Sequence, residues 1–283
     1  MQSVENLLNA GFILLDKPRG PSSHEVTAYV RKLLGVRKTG HAGTLDPQVS
    51  GVMVIGINKA TKLLRFVVGK EKTYVGVMRI RNPPSNIEIV QKEMNKFIGK
   101  IEQIPPLHSA VAKRKRKREI YEFKAIEMDG KNILFRARVE AGTYIRNLCQ
   151  DVGKAFEGGK MLELRRVAIG NIDEKMLISL SDLQDGMAIY RGKGDSSLIK
   201  RLIKPADDMF TLPSIMIKDK AIDSVCRGAP LALSGVAYDE AKLKEGTEVK
   251  LRNKEGDLIA IGRVENEKIL PKAVLTEVRA GVA

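Results

Sequence analysis

Gly40-His41-Ala42-Gly43-Thr44-Leu45-Asp46-Pro47-Gln48-Val49-Ser50-Gly51 constrains this chain more than any other stretch. Glycine at this density marks a backbone that turns sharply or lets another group approach closely. Asp46 precedes a proline, so its own backbone is biased to an extended conformation. The apolar run Val52-Met53-Val54-Ile55 follows at strand length. The stretch therefore reads as one carboxylate held on a stiff loop beside a strand. A simple β-turn with Asp46 capping a backbone amide accounts for the same residues, so the loop has to be weighed against the rest of the chain.

A chain of 283 residues suits a large domain followed by a small one. Hydrophobic residues make up 43%, enough for a buried core. The formal charge of +15 is the unusual quantity. A chain this basic meets a polyanion, and nucleic acid is the commonest one. Cys149 and Cys226 lie far apart and in no metal-ligand spacing, which predicts reduced thiols and a cytoplasmic location. Phe12-Ile13-Leu14-Leu15 has strand length and not the length of a signal or a span, so no membrane is expected.

Gly11–Leu15 predicts a buried strand that runs into the proline-rich turn Asp16-Lys17-Pro18-Arg19-Gly20-Pro21. Ser22 and Glu25 form a capping-box pattern, and Val26, Val30 and Leu33 recur at helical spacing until Gly35. A second helix is expected over Lys59–Val68. Lys72–Arg81 alternates as a half-buried strand with Tyr74 near its start. Ile87, Val90, Met94 and Phe97 mark a helix. The segment Pro105–Val111, which includes His108, leads into six consecutive cations, Lys113–Arg118. Such a run repels itself unless it is solvated or neutralised by phosphates, and in a chain this basic we read it as a nucleic-acid contact in preference to a merely solvated loop. Strands near Ile120–Met128 and Ile133–Val139 flank Asp129-Gly130, a hairpin signal. Gly142-Thr143 opens a helix with Arg146 in its first turn, where a cation opposes the dipole and calls for a carboxylate partner. A strand is expected over Leu162–Gly170, helices between Ser179 and Asp208, and a domain boundary near Phe210. Short strands at Ile215–Ile217, Ala229–Ala232, Val249–Leu251 and Leu258–Val264 then predict a small, mostly β unit.

No phosphate-binding glycine loop, dinucleotide fingerprint or nucleophile-elbow serine is present. His24, His41 and His108 lack acidic or cysteine neighbours at metal spacing, so no metal is predicted. What remains is an acid on a rigid loop, an aromatic at a strand start, an arginine at a helix start and a basic surface.

Those residues resemble a known family. Gly43-Thr44-Leu45-Asp46-Pro47 with Ser50-Gly51, and Gly142-Thr143-Tyr144-Ile145-Arg146, are similar to the catalytic motifs of the TruB class of pseudouridine synthases. Leu14, Asp16-Lys17-Pro18, Gly20 and Ser23, and then Leu164-Arg165-Arg166, match its two other motifs. The resemblance covers about residues 11–170. The segment from Pro105-Pro106-Leu107 to Glu140-Ala141-Gly142 looks more like the archaeal and eukaryotic dyskerin branch than the bacterial tRNA enzyme. Ala221, Gly228-Ala229-Pro230-Leu231 and Ser234-Gly235-Val236 are similar to a PUA domain, which that branch carries. The chain departs from the branch at Lys160, after Gly158-Gly159, where a histidine commonly stands.

The resemblance implies an α+β fold: a mixed-sheet synthase core over residues 1–209 and a small, mostly β PUA domain over 210–283. It implies conversion of uridine to pseudouridine in rRNA, with tRNA as a further substrate. A guide RNA would select the uridine inside a box H/ACA ribonucleoprotein with accessory proteins. It makes Asp46 the nucleophile, Arg146 its ion-pair partner, and Tyr74 the ring that stacks on the flipped uracil and takes part in the final proton removal. Tyr144 and Leu164 would line the pocket, His41 would contact the RNA, and Lys17, placed with the substrate-binding residues, would buttress the site. The isomerisation is redox-neutral and needs no cofactor. Two alternatives stay open. One is a stand-alone tRNA T-loop synthase, which an RNA-gripping insertion between Tyr74 and Tyr144 would favour; none is seen. The other is a non-catalytic RNA-binding scaffold, which loss of Asp46, Tyr74 or Arg146 would favour.

Overall fold

The computed structural model describes residues 3–105, 112–239 and 244–276. The first part of the chain builds strands β1 (Gly11–Lys17), β2 (Thr39–His41), β3 (Val49–Ile57), β4 (Lys72–Ile80), β5 (Gly99–Gln103), β6 (Arg116–Asp129), β7 (Asn132–Val139), β8 (Gly159–Ile169), β9 (Ile172–Asp173) and β10 (Lys204–Pro205). They form one mixed sheet in the order β10-β1-β3-β8-β4-β7-β6-β5, with β2 on β3 and β9 on β8. The β3–β8 pair is parallel and every other pair in this sheet is antiparallel. Helices α1 (Val4–Ala10), α2 (Ser23–Leu34), α3 (Arg65–Val68), α4 (Ile87–Asn95), α5 (Ile145–Gly153), α6 (Leu180–Lys193) and α7 (Ser197–Leu202) surround it. A second, six-stranded sheet holds β11 (Ser214–Ile217), β12 (Leu231–Ala232), β13 (Val236–Asp239), β14 (Glu248–Arg252), β15 (Leu258–Glu265) and β16 (Lys268–Val274), with α8 (Asp219–Cys226) beside it. The fold is α+β, as expected: a large mixed-sheet core with a small, mostly β unit after it.

The unbroken apolar runs of β1 and β3 follow from burial on both faces. Ile13, Leu15, Met53 and Ile55 pack with α2, α6 and α7 residues such as Val26, Val30, Leu183 and Ile199. Phe12, Leu14, Val52 and Val54 pack with Ile261, Ala273 and Leu275 of the second unit. Phe210 lies in this shared cluster, edge-on to both Phe12 and Phe66 at 5.9 Å between centroids. Helices α4 and α5 cover the other half of the sheet through Val90, Met94, Leu148 and Val152.

Local signals place several elements. The Ser22/Glu25 capping box starts α2 and Gly35, at φ 68°, ends it. Gly130, at φ 53°, turns the β6–β7 hairpin. Three features differ from the sequence reading. Residues 58–63 form a 3-10 helix, with α3 a single turn, where a continuous helix was expected. Asn58 has φ 45°, accepts from the Lys38 amide, and gives its carbonyl to the Thr61 hydroxyl, so side chains occupy the local polar groups. Strand β5 was not foreseen; Gly99, at φ 96°, redirects the chain into it. The cationic run is not wholly a loop, because β6 begins at Arg116 and pairs it with Gln103. His108 lies outside the described residues.

Gly51 sits where β3 crosses β8, at φ 102°, and a β-carbon there would overlap the Arg166 carbonyl. Both the backbone and the space therefore demand glycine. Gly51→Ala is expected to cost about 3 kcal/mol, read as a lower urea midpoint at unchanged m-value.

Candidate active site

Asp46 stands in the loop between β2 and β3, and the loop is held from three sides. Its carbonyl accepts from the Val49 amide at 2.9 Å, closing a turn with Pro47 at the second position. The Ser23 hydroxyl, at the start of α2, donates to the Leu45 carbonyl at 2.9 Å and accepts the Leu45 amide at 2.8 Å. Lys17, at the end of β1, is fully buried and donates Nζ–H to the carbonyls of Pro18 (2.9 Å) and Val49 (3.0 Å), with Pro47 at 3.4 Å. Burial pushes the Lys17 pKa down, and the charge of Asp46 opposes that shift. Lys17 thus supports the loop from beneath. A fully buried ammonium engaged by backbone carbonyls suits the buttressing role that the resemblance implies for it.

Arg146 reaches Asp46 from α5 and donates Nη2–H to Oδ2. The two residues are 100 positions apart in sequence. Arg146 sits in the first turn of α5, where a cation is disfavoured by the helix dipole, and Asp46 is the carboxylate that offsets this. The start of α5 is itself fixed. Gln103 is 4% exposed; its Oε1 accepts the Tyr144 amide at 2.9 Å and its Nε2 donates to the Tyr144 carbonyl at 3.2 Å. Nothing in the sequence singled out Gln103, whose role depends on β5 lying against the α5 terminus.

Tyr74 is buried in β4, cross-strand from Arg166 in β8, and belongs to the apolar cluster that holds Leu45, Val49 and Leu164. Arg166 is 1% exposed. Its Nε–H donates to the Val52 carbonyl at 2.8 Å and its Nη2–H to the Gly43 carbonyl at 3.1 Å, and Tyr74 stands beside it across the strands. One guanidinium thus ties the Asp46 loop and β3 together without a carboxylate partner among the described residues. Burial pushes its pKa down and the Tyr74 oxygen opposes that shift. Arg166 was legible as part of a motif but carried no predicted role.

His41 ends β2, with its ring edge-on to His24 at 6.3 Å. Its Nδ1 is buried with no hydrogen-bond partner among the described residues. Burial, then His24 and Arg166, push its pKa down, so the ring is neutral at pH 7. A cleft of about 540 Å³ opens beside Arg146, lined also by Glu102, Gln103, Ile104, Asn147 and Asp151. Among the predicted site residues Arg146 lines this cleft. Asp46 meets Arg146, Tyr74 pairs with Arg166 across the strands and shares an apolar cluster with Leu164, and Tyr144 is held through its backbone by Gln103.

A mixed sheet with a carboxylate–arginine pair above a buried tyrosine, followed by a small β unit, defines a class of RNA-modifying isomerase, and the comparisons agree. The TruB family pseudouridylate synthase N-terminal domain matches residues 31–145, the tRNA pseudouridylate synthase B C-terminal domain 146–211, a PUA domain 213–267, and a DKCLD (NUC011) domain 2–27. The chain belongs to the TruB family of pseudouridine synthases, in its archaeal dyskerin-type branch. It is 45% identical to a probable tRNA pseudouridine synthase B of Archaeoglobus fulgidus, over 92% of this chain and 80% of that one. It is 40% identical to that of Methanothermobacter thermautotrophicus, over 92% and 81%. The crystal structure of a Cbf5–Nop10–Gar1 complex superposes with a TM-score of 0.85 at 36% identity, covering 98% of this chain and 88% of that one. An H/ACA RNP bound to a substrate RNA containing 2′-deoxyuridine gives 0.83 at 34% identity, covering 98% and 89%.

Lys72, buried at the start of β4, donates to the Val68 and Lys70 carbonyls at 2.7 Å, and burial followed by Arg166 pushes its pKa down from 10.5 to about 8. The unfolded chain holds this proton more tightly than the folded one. The contribution of Lys72 to stability should therefore rise between pH 8 and pH 10.5. Urea titrations of wild type and Lys72→Met across that window should show the difference moving in favour of wild type, and a constant difference would contradict the assignment.

Proposed function

We propose that the chain isomerises uridine in RNA with Asp46 as the nucleophile, and that a box H/ACA guide RNA chooses the uridine. The observation that carries the site reading is the Arg146–Asp46 pair, which joins two motifs 100 residues apart at the mouth of a cleft. The Asp46 carboxylate attacks the target nucleotide, and the bond between C1′ and N1 breaks. Uracil turns, a bond forms between C1′ and C5, the bond to Asp46 breaks, the C5 proton leaves and N1 takes up a proton. Atoms and electrons balance without a cofactor. Attack at the ribose and attack at the base both fit this geometry. Arg146 aims the carboxylate. Tyr74, across the strands from Arg166, supplies the ring against which the flipped base rests and takes part in proton removal. Tyr144 and Leu164 wall the base, His41 meets the RNA as a neutral ring, and Lys17 and Ser23 hold the loop.

Residues 1–209 then form the catalytic unit and 210–283 the PUA unit. The solved relatives with Nop10, with Gar1 and with a substrate RNA support assembly with a guide RNA and accessory proteins of that kind. Two unpaired cysteines support a cytoplasmic location, and among the described residues no helix is long and apolar enough to cross a membrane. The relatives named as tRNA synthases support the second reading, activity on tRNA by the protein alone.

Tritium release from C5-labelled uridine tests both. Asp46→Asn should abolish release while RNA affinity stays within about twofold, since the mutation removes the nucleophile and leaves the basic surface. Turnover by that variant would remove Asp46 from the mechanism. Release from an rRNA fragment that requires a matching guide and the accessory proteins supports the guided reading; release from tRNA by the protein alone supports the second.

In the cationic run Lys113, Arg114, Lys115 and Lys117 are exposed, with Lys115 near Glu102 at 3.7 Å, whereas the Arg116 and Arg118 Nε atoms are buried. Replacing the four exposed cations by Gln should flatten the slope of log affinity against log salt by up to about 3. An unchanged slope would make the run a bystander.

A further inference from the structure

We infer that a second RNA-backbone contact lies in the basic pocket at the far ends of β4 and β8, on residues outside the catalytic motifs. The pocket has a volume of about 510 Å³ and is lined by Arg79, Ile80, Arg81, Lys131, Gly158, Gly159 and Lys160, with no carboxylate in its wall. Its floor is built by backbone hydrogen bonds. The Ile80 amide donates to the Lys131 carbonyl at 2.9 Å, which pins the tip of the β6–β7 hairpin. The Arg81 amide donates to the Gly158 carbonyl at 2.9 Å, and the Asn82 amide to the Phe156 carbonyl at 3.1 Å.

The charge arrangement is costly without an anion. Arg79 in β4 stands directly across from Lys160 in β8, and like charges opposite one another destabilise a sheet. Arg79 has one polar partner, the Asn132 Oδ1 at 3.0 Å, which carries no charge. Arg81, Lys131 and Lys160 are exposed and form no ion pair among the described residues. Four cations converging on a rigid concave wall fit phosphate oxygens. The net charge of +15 favours a polyphosphate chain over a single small anion.

The placement suits an RNA already engaged at the active site. Arg79 is five residues beyond Tyr74 on the same strand, about 17 Å away and on the opposite face. An RNA whose target base lies at Tyr74 would reach this pocket by rounding the ends of β4 and β8. This inference rests on the RNA-isomerase reading, and its test separates the two.

The test is the triple variant Arg81→Gln/Lys131→Gln/Lys160→Gln, with Lys160→Gln alone as a milder form. Binding of a fluorescently labelled uridine-containing RNA hairpin is followed at stepped KCl concentrations, beside tritium release by wild type and Asp46→Asn. The triple variant should lose roughly tenfold in affinity and about 2 from the salt slope, and the single variant about 0.7. Lys160→Arg should restore the wild-type slope. Unchanged slope and affinity in both Gln variants would overturn the inference whatever the Asp46 result. Loss of inorganic phosphate binding at an unchanged RNA slope would also overturn it, marking a small-anion site. Turnover by Asp46→Asn would sink the catalytic assignment while leaving the slope result standing.

Discussion

The Arg166 guanidinium is the interaction on which the site depends. It is wholly buried and makes no ion pair among the described residues, a placement that costs several kcal/mol unless every N–H is well used. Its partners explain why it is tolerated. The Gly43 carbonyl belongs to the Asp46 loop and the Val52 carbonyl to the strand that follows, and Tyr74 stands across from Arg166 on the neighbouring strand. Arg166 itself comes from a distant part of the chain, 123 positions from Gly43 and 114 from Val52, and its rigid fork sets their spacing. Lys17 and Lys72 are buried close by, each engaged by backbone carbonyls. The loop that carries the acid is thus underlain by positive charge, a field that favours a carboxylate and an approaching phosphate alike.

The same strands that carry the loop also join the two units. β1 and β3 bury alternate residues against the helices and against the second sheet, so the centre of the catalytic sheet is a shared core. Two hydrogen bonds reinforce it: Lys62 Nζ to the Val274 carbonyl and Arg65 Nη1 to the Lys272 carbonyl, both at 2.9 Å. The small unit is thus joined to the strand that follows the Asp46 loop by an apolar core and by hydrogen bonds.

Basic residues are distributed unevenly about this frame. One group continues from the cleft beside Arg146 along the edge formed by β5 and β6, where Arg118 packs over Gly142 at the entrance to α5. The other closes the far ends of β4 and β8. Between them the sheet carries Arg165, bound to Asp16 and Glu174, whose charge is already satisfied.

The Asp46 loop and the start of α5 were legible because their residues carry local chemistry. A proline after Asp46, glycines at 43 and 51, and an arginine in the first turn of a helix each demand a particular backbone or partner, and those demands are written in short stretches. Helices with caps and strands with strict alternation were legible for the same reason. The 3-10 turn at 58–63 was not, because Asn58 and Thr61 satisfy backbone groups through side chains that a periodicity cannot show. Gln103, Lys72 and the role of Arg166 were not, since burial and hydrogen-bond partners belong to residues brought together from separate strands. The sequence by itself determined which side chains could do the chemistry and how each is locally held. The tertiary structure alone decided that Gln103 holds the start of α5, that the Arg166 guanidinium joins the Gly43 and Val52 carbonyls, and that β1 and β3 serve two cores. Those outcomes are set by long-range pairing across the sheet, which no local pattern encodes.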